Sequence, residues 1–317
     1  MIFLSEDQVR SVLRMEGLID TMEQALVDFS AGRVLQPVRN ALPVPEHAAF
    51  LGVMPAVYGT VMGAKLVTAY PDHGVHGLPS HQALIVLFRS STGEPLAVMD
   101  GRLITEMRTA AVSAAATRLL ARPEARVLAI LGSGVQARSH FQALRLVRNF
   151  EEVRVWSRTQ QNAGRFAAEI GARVMPAEQA VRGADVVVTA TNAPEPILRG
   201  AWLKPGTLVN AVGAFGPERR ELDDEAMRSG DVVVDSRQGA RQESGDVLMS
   251  RVTIYAELGE ILGGLEPKPS AGIVVFKSLG MAVEDLAAAK LVYDAVVGNS
   301  GTSLPASGAA FDEDWTE

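Results

Sequence analysis

The sequence predicts an α/β protein in two parts, a doubly wound parallel sheet and a discontinuous α+β unit, and three observations carry that reading. The first is an apolar run, Val127-Leu128-Ala129-Ile130-Leu131, that leads directly into Gly132-Ser133-Gly134-Val135-Gln136-Ala137, a G-x-G-x-x-A pattern. Glycine at the first two marked positions allows a sharp turn and close approach of backbone to a pyrophosphate. Alanine at the third lets the next helix pack closely on its strand. The amides that open this helix then face the anion. The second observation is context: the helix carries apolar residues at Val135, Phe141, Leu144 and Val147, and a second strand, Val153-Arg154-Val155-Trp156, leads into Ser157-Arg158-Thr159. The third is repetition, with apolar runs at 185–190, 207–212, 231–235 and 272–276 separated by helical or loop segments. Alternation of this kind implies a parallel sheet of Rossmann type.

Taken in order, residues 5–14 and 18–30 have helical spacing, with Ser5 and then Asp20 or Thr21 as caps and Gly32 as a stop. From 37 to 99 the pattern changes to short β-rich runs at 38–44, 50–58, 61–70, 82–88 and 95–99. Turn signals divide them at Tyr58-Gly59-Thr60, Pro71-Asp72-His73-Gly74 and Ser90-Ser91-Thr92-Gly93-Glu94, which predicts a mostly antiparallel sheet. An alanine-rich helix over 103–120 leads to a boundary near 121–124, and an amphipathic helix over 281–297 is expected to return to the first unit. The expected division is therefore 1–120 completed by 278–297 for substrate binding and dimerisation, and 121–277 for the nucleotide. Residues 298–317, rich in Gly, Ser, Ala and acids without periodicity, read as a disordered tail. The first unit would leave apolar strands uncovered in a monomer, so a homodimer built on its sheet is expected.

Composition narrows the function classes. The 317 residues are 47 % apolar and 21 % charged with net charge −7, and no basic stripe interleaves with aromatics, which excludes a nucleic-acid partner. Without cysteine there is no disulfide, thiolate metal site or Cys nucleophile. The N-terminus turns acidic at Glu6 and Asp7, too early for a signal peptide, and no apolar run reaches membrane-spanning length. A cytoplasmic protein without a membrane partner is the expectation. G-x-S-x-G is missing, which removes the usual serine-hydrolase reading. His73, His76 and His81 lie in a Gly/Pro-rich loop and its following strand, with Asp72 the only acid nearby, so no metal is expected. Asp223, Asp224 and Glu225 read as a helix start, where negative charge complements the dipole.

Three cations stand out as candidate catalytic residues. Arg39 follows Gln36-Pro37-Val38, Lys65 interrupts an otherwise apolar β run, and Arg108 follows Thr105-Glu106-Met107. Each competes with a bland reading as a solvent-facing charge. Together they suit a small carboxylate, since arginine offers a planar fork and lysine a point charge or proton donor. The expected cofactor contacts are Gly132, Gly134, Val135, Gln136 and Ala137 at the first turn and Ser157, Arg158 and Thr159 at the second, with Thr109, Val212 and Leu279 completing the set. Two hydroxyls and a guanidinium, where an acid would bind the ribose 2′-hydroxyl, predict NADP(H) in preference to NAD(H).

Over residues 36–294 the chain resembles the ornithine cyclodeaminase and mu-crystallin family, its mu-crystallin (ketimine reductase) branch in particular. The resemblance rests on Gln36-Pro37-Val38-Arg39, Leu51-Gly52-Val53-Met54-Pro55-Ala56, Lys65-Leu66-Val67-Thr68, Pro79-Ser80-His81-Gln82-Ala83, Ala97-Val98-Met99-Asp100-Gly101, Arg108-Thr109-Ala110-Ala111-Val112-Ser113 and Phe276-Lys277-Ser278-Leu279-Gly280-Met281-Ala282-Val283-Glu284-Asp285. It implies a Rossmann domain joined to a dimerising substrate domain, with Arg39, Lys65 and Arg108 holding the substrate carboxylate. Ornithine cyclodeaminases carry a catalytic aspartate just after a Val-Gly-Gly-like turn. In Ala211-Val212-Gly213-Ala214-Phe215-Gly216 the expected counterpart is Ala214, which cannot pair with an amine or move a proton. The resemblance thus implies an NAD(P)H-dependent reductase of a small, cyclic 2-imino carboxylate. An amino-acid dehydrogenase of alanine dehydrogenase type, a cyclodeaminase-type lyase, and an NADPH-dependent ligand-binding protein of mu-crystallin type are the competing expectations.

Overall fold

A computed structural model of the chain describes residues 1–70, 77–269 and 272–299; the turn at 71–74 with His73, His76, and the tail from 300 lie outside the described residues. The first part runs β1 (Ile2–Leu4), α1 (Glu6–Val12), α2 (Met15–Ser30), β2 (Val34–Leu35), β3 (Asn40–Val44), β4 (Ala49–Tyr58), β5 (Val61–Ala69), β6 (His81–Arg89), β7 (Pro95–Asp100) and α3 (Arg102–Leu120). Its sheet has the order β1-β7-β6-β5-β4-β2, with β3 also paired to β4. Strands β2 to β7 pair antiparallel, and only the short β1 lies parallel to its neighbour.

Side-chain alternation explains why this sheet has two different faces. Met54, Ala56, Val67, Ile85, Leu87, Ala97 and Met99 are buried on one face. The register places Lys65 opposite Met54 on one side and Ile85 on the other, so the lysine shares this inner face. The outer face carries Val57, Leu66, Leu84 and Phe3 at 38 %, 38 %, 50 % and 67 % exposure. Hence neither face is polar, and the expected alternative of a solvent-facing Lys65 fails.

The second part continues through β8 (Val127–Leu131), α4 (Val135–Val147), β9 (Glu152–Trp156), α5 (Gln160–Ile170), β10 (Arg173–Val174), α6 (Ala177–Val181), β11 (Val186–Thr189), β12 (Leu208–Ala211), α7 (Asp224–Arg228), β13 (Gly230–Val234), α8 (Arg237–Glu243), α9 (Gly245–Ser250), β14 (Ile254–Glu257), α10 (Leu258–Leu262), β15 (Ile273–Lys277) and α11 (Ala282–Asn299). All pairs in the order β10-β9-β8-β11-β12-β15-β13-β14 are parallel. Strands buried on both faces need apolar residues at every position, which is why β11 reads Val-Val-Val-Thr. The strand order reverses between β8 and β11, and ligands of open parallel sheets bind outside the carboxyl ends at such a point.

Two local expectations change. The second helix starts at Met15 rather than at an Asp20 or Thr21 cap, because Thr21 instead donates its hydroxyl to the Gly17 carbonyl inside the helix. The returning helix α11 is not amphipathic in its first half: every residue from 282 to 289 is buried, between the first sheet's inner face and helices α2 and α3. Alanines at 282, 287, 288 and 289 make that insertion possible. Among the described residues no helix is long and apolar enough to cross a membrane.

Candidate active site

At the carboxyl end of β8, Gly132 has φ of 140°, and a Cβ there would stand 2.5 Å from the Ala190 carbonyl oxygen. Only glycine fits. A Cβ on Gly134 would meet nothing within 4 Å, so the backbone there faces open space, and Ala137 is fully buried where α4 packs on its sheet. This turn forms one wall of a cleft of about 880 Å³ together with Trp156, Ser157, Arg158, Thr159 and the loop following β11. The opposite wall comes from Ser80, His81, Arg102, Thr105 and Glu106 of the first part. Ser133 and Ser157 are hydrogen-bonded at 2.8 Å, which ties the two nucleotide-facing turns together. Arg158 is exposed, and Gln136 keeps a buried side-chain oxygen with no partner among the described residues. A glycine cradle open to an anion, with an exposed guanidinium at the end of the second strand, fits a dinucleotide.

The other expected contacts stand apart from this cleft. Thr109 donates its hydroxyl to the Thr105 carbonyl at 2.7 Å within α3, and the Val212 amide bonds to Thr189 at 3.0 Å. Leu279 lines a different, much smaller pocket with Arg39 and Glu243. It belongs to a strap, Ser278-Leu279-Gly280, that Asp235 organises: its Oδ2 accepts from Ser278 Oγ at 3.0 Å, from the Leu279 amide at 2.6 Å and from the Gly280 amide at 2.7 Å.

Two of the three cations meet on one acid. Lys65 Nζ lies 2.6 Å from Asp285 Oδ2, while Arg108 Nε donates to Asp285 Oδ1 at 2.9 Å and its Nη1 to Glu284 Oε2 at 2.7 Å. All four side chains are at most 5 % exposed. Burial drives the Lys65 pKa down to about 8, against the pull of Asp285 and with the help of Arg108. Asp285 is held below the usual carboxylate range because Arg108 and Lys65 together outweigh its own desolvation. The two shifts are not those of a simple ion pair, because at Lys65 burial and Arg108 outweigh the attraction of Asp285, whereas at Asp285 two cations act on one anion. Glu284 rises to about 7, chiefly through desolvation, which Arg108 offsets only in part. His81 on the cleft wall falls to about 4 through burial and then the repulsion of Lys65 and Arg108, so its imidazole is neutral near pH 7.

Arg39 sits across the strap from this pair. Its Nη2 donates to the Leu279 and Gly280 carbonyls, each at 2.8 Å, and its Nε to Glu243 Oε2 at 3.1 Å. Gly280, at φ of 78°, separates the two arginines, because a Cβ there would lie 2.4 Å from Arg108 Nη1. The turn after β12 holds Ala214, the expected counterpart of the cyclodeaminase aspartate. Ala214 is buried, with its carbonyl accepting from Lys277 Nζ at 2.8 Å; Phe215 is the side chain presented to the clamp, 4.5 Å beneath the Arg39 guanidinium. A phenyl ring is no better proton carrier than a methyl group, so neither Ala214 nor Phe215 puts an acid at this turn.

Sequence reasoning gave no role to Asp285, Glu284, Asp235 or Glu243, nor to Glu221. Glu221 is fully buried and accepts from Thr189 Oγ1, from the Thr191 amide and hydroxyl and from the Gly213 amide, at 2.7 or 2.8 Å. It thereby pins together the loops that leave β11 and β12. The available signal was two adjacent acids, Glu284 and Asp285, inside an alanine-rich helix, where an unpaired charge would be too costly.

Known proteins resemble the chain over nearly its whole length. The chain is 52 % identical over 301 residues to the ketimine reductase mu-crystallin of Mus musculus, spanning 92 % of this chain and 96 % of that protein. The structure of Thermococcus litoralis Delta(1)-pyrroline-2-carboxylate reductase in complex with NADH and L-proline superposes with a TM-score of 0.90 at 35 % identity, over 95 % of this chain and 98 % of that one. An archaeal alanine dehydrogenase dimer with bound NAD gives 0.89 at 32 % identity, over 94 % and 96 %. Residues 1–300 also match a single family description. The glycine cradle, the buried cation pair and these likenesses converge on one assignment, and the chain belongs to the ornithine cyclodeaminase/mu-crystallin family.

Proposed function

We propose that the chain is an NAD(P)H-dependent imine reductase that converts a small, cyclic 2-imino carboxylate to the corresponding amino acid. The observation that carries this reading is the buried pair of Lys65 and Arg108 on Asp285, one helical turn from the cleft wall formed by Thr105. Support comes from relatives named for ketimine and pyrroline-2-carboxylate reduction. Gly132, Gly134, Gln136, Ser157, Arg158 and Thr159 would hold the dinucleotide, which supplies hydride when bound.

Reduction of C=N needs a proton at nitrogen as well as hydride at carbon, and hydride adds more readily once the nitrogen is protonated. The chain's part is therefore to hold a carboxylate and to keep a proton in reach. Arg39 and Arg108 carry the charge for the first task. Lys65, with its pKa near 8, is suited to the second, because an ammonium in water would give up its proton far less readily. His81 can hydrogen-bond in its neutral form without adding a further cation.

We assign residues 1–120 with 278–297 to the substrate unit and 121–277 to the nucleotide unit. A homodimer through the outer face of the first sheet is the best cover for Leu66, Leu84, Val57 and Phe3. NADP(H) is preferred over NAD(H) in this reading, with Arg158 facing the 2′-phosphate.

Turnover, cofactor binding and particle mass each test this reading. The protein should oxidise NADPH in proportion to Δ1-pyrroline-2-carboxylate consumed and release no ammonia, and Lys65→Met should lower kcat by roughly 100-fold or more. In the unaltered protein kcat should fall as pH rises through about 8, where Lys65 loses its proton; K65M working at the original kcat and pH optimum would reduce the lysine to a clamp. Arg158→Ala should weaken NADPH binding roughly tenfold, the low end for a charged hydrogen bond because the site is exposed, and leave NADH nearly unaffected. Equal NADPH affinity in R158A removes the 2′-phosphate assignment. Light scattering at micromolar concentration should give about twice the 33.7 kDa chain mass; the chain mass itself would rule out the dimer.

A further inference from the structure

Glu243 plays no part in the reduction as described, yet it occupies an edge of Arg39 that a substrate acid would seek. Arg39 is only 12 % exposed and Glu243 15 %, and they meet through a single contact, Nε to Oε2 at 3.1 Å. The rest of the guanidinium is fixed by neutral groups: two strap carbonyls at Nη2 and the Phe215 ring against its face. Glu243 is thus the acid paired with this cation among the described residues. It is also a weakly anchored one. It stands at the last residue of α8, where the helix dipole opposes negative charge, and Asp235 adds repulsion. Burial raises its pKa and Arg39 pulls it back only in part.

A guanidinium edge is a fork that a carboxylate fills best with two parallel bonds. Glu243 fills one arm at a long distance. Resting on the reading that Arg39 takes the substrate's carboxylate, we propose that Glu243 is a positioning residue that holds the Nε edge of Arg39 and is exchanged for that carboxylate on binding. Exchange of one anion for another keeps Arg39 paired throughout, so its plane stays set by the strap and by Phe215. Uncharged imines of the same size bring no anion to the exchange and are discriminated against. Glu243 therefore trades affinity for selectivity towards carboxylates.

The test compares Glu243→Gln with Glu243→Asp, both saturated with NADPH. KM for Δ1-pyrroline-2-carboxylate and Kd for L-proline are measured side by side. Replacing a charged competitor by a neutral one should lower both constants roughly fivefold in E243Q, with the effect on KM rather than kcat, whereas E243D stays close to the unaltered protein. A merely structural strut could not tighten binding when weakened. Unchanged or raised constants in E243Q overturn the exchange. A protein that binds L-proline but does not turn over the imine would instead defeat the reductase reading, and its L-proline constants would still decide the role of Glu243.

Discussion

One carboxylate between two cations sets the geometry of this molecule. Asp285, fully buried, faces Lys65 on a strand of the first sheet and Arg108 on α3. Removing one member of such a group leaves uncompensated charge in the interior, typically at a cost of about 3–5 kcal/mol, so the three elements that carry them are fixed relative to one another. Asp285 lies in the first turn of α11, where acids also complement the helix dipole. The chain must therefore leave the second sheet at β15 and drive a helix under the first. The alanines of α11 answer that demand for thinness.

The same constraint reaches the cleft through the strap that precedes α11. Asp235 at the end of β13 gathers Ser278, Leu279 and Gly280, and Gly280 lets the strap pass between Arg39 and Arg108. Glu221 does similar work for the loops beyond β11 and β12, aided by Asp246, which accepts from the Glu221 and Leu222 amides at 2.9 and 3.0 Å. Buried acids that accept several backbone amides hold loops in one conformation, because each donor would otherwise be left unpaired. Lys65 and Arg108 thus rest on acids of α11 and Arg39 on Glu243 of the nucleotide side, while acids of the nucleotide side hold the strap and loops around them.

How much could be read from the sequence depends on the range of the cause. The turn at Gly132 and Gly134 was legible because strand, turn and helix lie within a few residues and the glycine requirement is steric. Lys65 was legible because a charge in an apolar strand violates a local pattern. Its partner Asp285 was not: the same acid also meets Arg108 across 177 residues, and nothing in local spacing announces such pairings. Thr21 was misread as a cap for a subtler reason, since a threonine hydroxyl can bond back to its own helix as readily as it can end one. The face shown by the turn after β12 was also beyond reach. There Lys277 holds the Ala214 carbonyl and the Phe215 ring lies against the Arg39 guanidinium, contacts that only the fold brings together.

The central claim is that Lys65 and Asp285 depend on each other inside the protein, and a double-mutant cycle in unfolding free energy tests it most directly. Lys65→Met and Asp285→Asn should each destabilise the fold, and the double variant should lose less than the sum of the two, with a coupling on the order of 1–3 kcal/mol. Strictly additive losses would contradict the account, because they would mean that the two groups do not sense one another across the 2.6 Å that separates them.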